Sequence, residues 1–338
     1  MTDTTGTLDE ALERLHDSGP ERHGWLSNHA PMAVEALVRH GQAATVHRWL
    51  DRYADKLEEP PPPYAPVTAD GWREALGDPA RSTDWTRFFA RELAERPWRA
   101  VLAAWWPRLL PGIAAGATHP VIRTGHAVRT LLASPEGATA PRLAELAHAL
   151  GYWAARHQPL PPLTALAVAP TAAAALNAVP PVPDQDGGIR HRLAQLTAFP
   201  VWGGARDPEA ARALLTELVA AATHRYATHG YGEPVMLVHA ATAPNAVLRV
   251  LPALPRALWA PSLSAAWAAS AAVTAAYTPL EPAPYEATPL TPEEVFARAA
   301  AHGDDHTIKF TDTALDVGGP LALAAAVRSV ELNAPAFP

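Results

Sequence analysis

Ser27-Asn-His-Ala-Pro-Met-Ala-Val-Glu-Ala-Leu-Val-Arg-His40 carries the grammar of the whole chain. Val34, Leu37 and Val38 recur at three- and four-residue steps, the period of a helix with one buried face. Pro31 falls in the first turn of that helix, where a missing N–H is harmless. His29 stands just ahead, at the helix mouth. The same period returns at Leu8, Leu12 and Leu15, and strand-type alternation is scarce. The prolines, 36 in all, fall mostly between periodic segments or at helix starts, as at Pro97, Pro107, Pro111, Pro120, Pro141, Pro208 and Pro292.

These patterns predict an all-α protein with helices at roughly 7–17, 31–40, 43–57, 84–95, 97–106, 120–133 and 141–157. A second series runs roughly through 162–176, 188–197, 207–228, 234–251, 259–277, 291–302, 305–315 and 319–332. The expected architecture is a single large helical domain over 1–338, with roughly 13–16 helices and Pro-rich connections. Glu58 to Tyr64 reads as a polyproline spacer and Pro279 to Pro289 as a second proline-rich connection. Residues with chemical potential lie at both ends of the chain, so its N- and C-terminal parts are expected to contribute to one site.

Composition narrows the function. At 338 residues and 49 % hydrophobic, the chain can bury a large core. Cysteine is absent, which excludes disulfides, thiolate nucleophiles and cysteine-built metal sites. A formal charge of −7, without a basic run, gives no attraction to a phosphate backbone. The polar, acidic N-terminus lacks the basic and apolar regions of a signal peptide, and no stretch reads as a transmembrane helix. A cytoplasmic protein is expected. Neither Gly-x-Gly-x-x-Gly, Gly-x-x-x-x-Gly-Lys-Ser/Thr nor Gly-x-Ser-x-Gly occurs, so flavin, nucleotide and serine-hydrolase chemistry lose their usual signatures.

Two positions stand out by residue type. Among 27 basic residues only Lys56 and Lys309 are lysines, and Lys309 follows His302-Gly-Asp-Asp-His306-Thr-Ile. Arginine stays protonated, whereas a buried lysine can lose its proton. A neutral amine there could act as a base, form a Schiff base, or take up carbon dioxide and become a carbamate ligand. An ordinary ion pair with Asp305 or Asp312 is the plain alternative. The 15 histidines divide by context. His16, His40, His47, His148, His157, His191, His224 and His229 read as solvated or near helix ends. His29 and His119 precede helix-opening prolines, and His239 is embedded in apolar sequence, where a buried imidazole needs a partner. His119, Arg123 and His126 share a helix face, but positions i and i+7 lie about 10 Å apart. His119 is therefore the candidate ligand, with His126 behind it or facing substrate. His306 and Lys309 share a face, with His302 a turn earlier.

Several ordered segments together resemble the questin oxidase-like family, which is tied to oxidative ring opening of anthraquinone-type polyketides. They are Asn28 to Leu37, Gly77-Asp78 with Asp84-Trp85, Pro97 to Gly112, His119 to Arg129, His239 to Pro244, and His302 to Lys309. The resemblance implies a helical oxygenase using molecular oxygen on an aromatic polyketide, by Baeyer–Villiger-like or dioxygenase ring cleavage. It maps a metal centre onto His29, His119, His239 and His306, completed by Lys309. Iron(II) suits neutral imidazoles, and a carbamate on Lys309 would supply one anionic oxygen. Arg123 and His126 are the expected catalytic or substrate-facing pair, and Trp25, Trp106 and Tyr152 are candidates to stack on a flat polycycle. The sequence leaves open an NADPH requirement and replacement of one ligand by His126 or His302. Two other functions also stay open, a non-catalytic binding protein for a polycyclic metabolite and a hydrolase with histidine-bound zinc.

Overall fold

The computed structural model of the chain describes residues 4–134, 137–286 and 289–336. Among them lie seventeen α-helices and four short strands, as the all-α reading predicts. Four of the helices have six residues or fewer; the other thirteen match the periodic segments of the sequence to within a few residues. Contacts cluster into two compact units, Met1–Pro159 with Arg249–Pro255, and Leu160–Leu248 with Arg256–Pro338.

The first unit holds α1 (Thr4–His16), the minimal hairpin β1 (Glu21–Arg22) and β2 (Leu26–Ser27), α2 (Ala30–Arg39), α3 (Val46–Tyr53), α4 (Trp72–Ala75), α5 (Ser82–Glu95), α6 (Trp98–Leu109), α7 (His119–Leu132) and α8 (Ala140–Arg156). Its core is aromatic. Trp72, Trp85, Phe88, Phe89 and Trp105 pack largely edge to face, Trp85 and Trp105 at 5.5 Å and Phe89 and Trp105 at 5.0 Å between centroids. That geometry brings the positive edge of one ring to the negative face of the next. Helices α5 and α8 approach closely at Gly151, where a Cβ would lie 2.7 Å from the Thr86 hydroxyl and 2.8 Å from its backbone nitrogen. Only glycine permits that approach.

The second unit holds β3 (Thr164–Val168), α9 (Ala172–Asn177), α10 (Ile189–Leu193), β4 (Ala198–Val201), α11 (Pro208–His229), α12 (Pro234–Leu237), most of α13 (His239–Val250), α14 (Trp259–Tyr277), α15 (Pro292–His302), α16 (Asp305–Val317) and α17 (Gly319–Leu332). Helix α14 is apolar on every side and buried along nearly its whole length, as a central helix should be. Pro244 interrupts the hydrogen-bond ladder of α13, since it has no N–H to give the Ala240 carbonyl four residues back. Ser270 of α14 donates its hydroxyl to that carbonyl at 2.7 Å, so the group is not left bare.

Two expectations need correction. The helix predicted over 162–176 is instead strand β3, paired in parallel with β4, followed by the short α9. Pro159, Pro161, Pro162 and Pro170 bracket a segment too short to propagate a helix, and Val168 favours extended backbone. The predicted helix over 188–197 closes after Leu193. Pro234–Ala253 is long and apolar enough to cross a membrane by length and composition alone, a property shared by the core helices of globular proteins, and 72 % of its most apolar window is buried inside the protein. Of the Pro-rich connection 279–289, residues 287 and 288 lie outside the described residues.

Candidate metal centre

In the first unit the start of α2 and the start of α7 bring two imidazoles together. His29, at the N-cap of α2, and His119, the first residue of α7, stack with centroids 4.4 Å apart. His119 Nδ1 lies 2.6 Å from the Gly116 carbonyl. A carbonyl only accepts, so Nδ1 carries the hydrogen and Nε2 the lone pair. The loop that delivers His119 is strained. Gly116, Ala117 and Thr118 have φ of 53°, 54° and 66°, and left-handed backbone at the two non-glycine residues costs about 1 kcal/mol each. Strain of this kind persists where surrounding structure holds a residue for a purpose.

In the second unit His239 opens α13 and His306 sits in the first turn of α16, their rings meeting edge to face at 5.4 Å. His239 donates from Nδ1 to the Met236 carbonyl at 2.9 Å. Asp305 Oδ1 lies 2.9 Å from His306 Nδ1. Asp304 caps α16 by accepting from the Thr307 amide at 2.8 Å, and the preceding Gly303 supplies the left-handed turn, φ 77°, that separates α15 from α16. One turn into α16 is Lys309, 1 % exposed, whose Nζ has no hydrogen-bond partner among the described residues. The plain alternative, an ion pair with Asp305 or Asp312, is not formed. Burial pulls the Lys309 amine down to about 8, against the opposing pull of Asp305 and Asp304.

His119, His239 and His306 thus share one arrangement, in which an oxygen acceptor faces Nδ1 and Nε2 is left as the donor nitrogen. That is how metal-binding histidines are commonly oriented by their surroundings. Neutral imidazoles, in either unit, and in the second unit a buried lysine that can shed its proton, are ligand types that suit a borderline divalent ion such as iron(II) or zinc. His302 gives its Nε2 hydrogen to the Asn333 carbonyl at 3.1 Å, and its buried Nδ1 has no hydrogen-bond partner among the described residues.

The residues expected to face substrate belong to buried ionic networks. His126 Nδ1 lies 2.7 Å from Glu35 Oε2, and Arg129 also binds both Glu35 oxygens. Arg249 Nη1 is 3.5 Å from His126 Nε2. Arginine can only donate, so Nε2 accepts and Nδ1–H points at Glu35; His126 is neutral. Burial lowers its pKa, Glu35 raises it in part, and Arg129 and Arg249 lower it further. Arg123 is held fork to fork by Glu145, with contacts of 2.6 and 2.7 Å. Burial opposes ionisation of Glu145, yet Arg123 and then His16 overcome it and hold the carboxyl down at about 2. Of the stacking candidates, Trp106 is fully buried edge-on to Trp153, Tyr152 is buried with its hydroxyl bonded to Ser27, and Trp25 is 61 % exposed.

Sequence reasoning missed Glu35, Glu145, His16 and His148. His16, read there as solvated, stacks on His148 at 4.8 Å with only 16 % of its side chain exposed. The signal was present: His16 lies four residues after Leu12, on the apolar stripe of α1. Burial, with Arg123 next, pushes His148 down to about 3. A base depressed in the fold stabilises it fully above its unfolded value near 6.5, and that stability is lost as pH falls from there towards about 3. Stability at about pH 5 is therefore expected to be roughly 2 kcal/mol below that at neutral pH. Urea unfolding across this range measures it, and His148→Gln should flatten the slope.

The fold and these groups define a helical protein with buried, oriented imidazoles in each unit. Residues 26–181 match the family described as Questin oxidase-like. Over that segment the chain is similar to the family that its motifs resemble. The matched segment contains His29, His119, Arg123 and His126; His239, His306 and Lys309 lie beyond it. No curated protein compared with the chain matches it.

Proposed function

We propose that the protein is an oxidoreductase, an oxygenase that uses molecular oxygen to open a ring of an anthraquinone-type aromatic polyketide with the help of iron. The observation that carries this reading is the questin oxidase-like match over 26–181, inside which His29 and His119 stack at 4.4 Å. His29, His119, His239 and His306 would hold the metal, with Lys309 as its carbamate. When bound, such an ion would supply a site for oxygen and an electron-rich phenolate and a route for electron exchange between them. The chain's own residues do the rest. The acceptors on Nδ1 of His119, His239 and His306 hold three rings in orientation. Neutral His126, fixed by Glu35, presents no positive charge that would compete with a cation. Burial of Lys309 keeps bulk water from its amine.

Metal analysis of protein purified without chelator should find about one iron per chain. Oxygen uptake should require both that iron and a hydroxyanthraquinone. Metal-free protein active on a quinone would defeat the iron. Zinc without oxygen uptake would indicate the hydrolase, and quinone binding with neither metal nor turnover the binding protein.

A further inference from the structure

Arg225, half-buried, lacks the carboxylate partner that the chain's fully buried arginines have. Arg123 meets Glu145, Arg129 meets Glu35 and Arg142 meets Asp9 at 2.7 Å. Arg225, on α11, forms no ion pair among the described residues. Its Nη1 binds the neutral amide oxygen of Asn177, and its Nε is buried with no acceptor. A neutral acceptor satisfies one N–H and leaves the charge uncompensated, an unfavourable state for a cation partly withdrawn from water with its Nε fully covered.

The guanidinium lines a small pocket in the second unit with His229, Tyr226, Leu176, Leu237 and Ala240, and no carboxylate is among the lining residues. The Tyr226 hydroxyl is turned away, donating to the Pro234 carbonyl at 3.0 Å. His229 has its Nδ1 2.8 Å from the Thr228 hydroxyl and 3.3 Å from the Arg225 carbonyl. The open space is only large enough for a group about the size of one water molecule. Cation, apolar walls and small size together select the occupant. We propose that this pocket binds a small, weakly hydrated monovalent anion of halide size as the counter-ion of Arg225. Multiply charged or strongly hydrated anions such as sulfate and fluoride are disfavoured, because apolar walls cannot replace their hydration and a guanidinium is itself weakly hydrated. Burial lowers the Arg225 pKa, and no neighbouring carboxylate acts against it. The site is independent of the oxygenase reading.

The test exchanges sodium gluconate for sodium bromide at constant ionic strength and follows the melting temperature of the full chain. Bromide should raise the wild-type Tm by about 2 °C, and fluoride or sulfate should do much less. Asn177→Asp places a carboxylate where the amide oxygen now touches Arg225. That variant should melt higher than wild type in gluconate and no longer respond to bromide. Arg225→Gln should also lose the response; should it fail to fold, Asn177→Asp carries the test alone. Crystals grown in bromide should show an anomalous peak beside Arg225. A wild-type Tm equal in the two salts, an Asn177→Asp response as large as wild type's, or an equal response to sulfate would each overturn the proposal.

Discussion

Lys309→Met raises the stability of metal-free protein by roughly 2–3 kcal/mol at neutral pH and abolishes turnover. The stability half of this expectation follows from burial. The amine is 1 % exposed without a hydrogen-bond partner among the described residues, and its pKa falls from 10.5 to about 8. A base depressed in the fold contributes its full stability above about 10.5, and loses it as pH falls from there through about 8. At neutral pH that loss is complete, and the protein carries a buried ammonium that methionine, of similar length and no charge, does not impose. The functional half follows from chemistry. About a tenth of an amine with that pKa is neutral near pH 7, enough to take up carbon dioxide, and methionine cannot. Lys309→Arg separates charge from chemistry, since guanidinium keeps the charge and forms no carbamate. It should lose both stability and activity. Urea unfolding in bicarbonate-free buffer and oxygen uptake with iron and a hydroxyanthraquinone give the two readouts. Full activity in either variant would remove Lys309 from the reaction.

Local periodicity made most of this fold legible. Trp259 to Tyr277 emerges as the helix its pattern predicts, because an apolar run of that length bounded by proline has few other ways to satisfy its backbone. Thr164 to Val168 does not, because the residues that pair with it, Ala198 to Val201, lie some thirty positions away and leave no mark on its own sequence. The site divides along the same line. His29 and His119 were visible because each precedes a proline at a helix start, and Lys309 because the chain otherwise avoids lysine. Their partners were invisible. The Gly116 and Met236 carbonyls that fix two histidine tautomers are backbone groups, which no residue-type argument can single out. Glu35 and Glu145 are acids in helices whose apolar stripes already explained the local pattern, and their arginines lie 94 and 22 residues away. Charge pairing at that separation is a tertiary fact.

Arg123 is where the structural and functional readings of one residue part most sharply. The sequence placed it on a substrate wall; the structure holds both its forked contacts on Glu145, the arginine 3 % and the carboxylate 4 % exposed. Arg123→Met is expected to lower stability by about 3–5 kcal/mol, because it leaves a buried carboxylate without its cation rather than merely deleting a contact. Without Arg123 only His16 is left to oppose the burial that disfavours ionisation of Glu145, and its pKa rises. The variant should therefore lose less relative to wild type as pH falls and Glu145 takes up a proton. Arg123→Met combined with Glu145→Leu removes the stranded charge and should recover most of the loss, giving a large coupling energy in a double-mutant cycle. The same double variant tests the catalytic role. If the pair only holds α7 against α8, the recovered protein turns over substrate as wild type does. A recovered fold with a raised KM and unchanged kcat would instead place Arg123 on the bound polyketide, and a lowered kcat would place it at the reacting atoms.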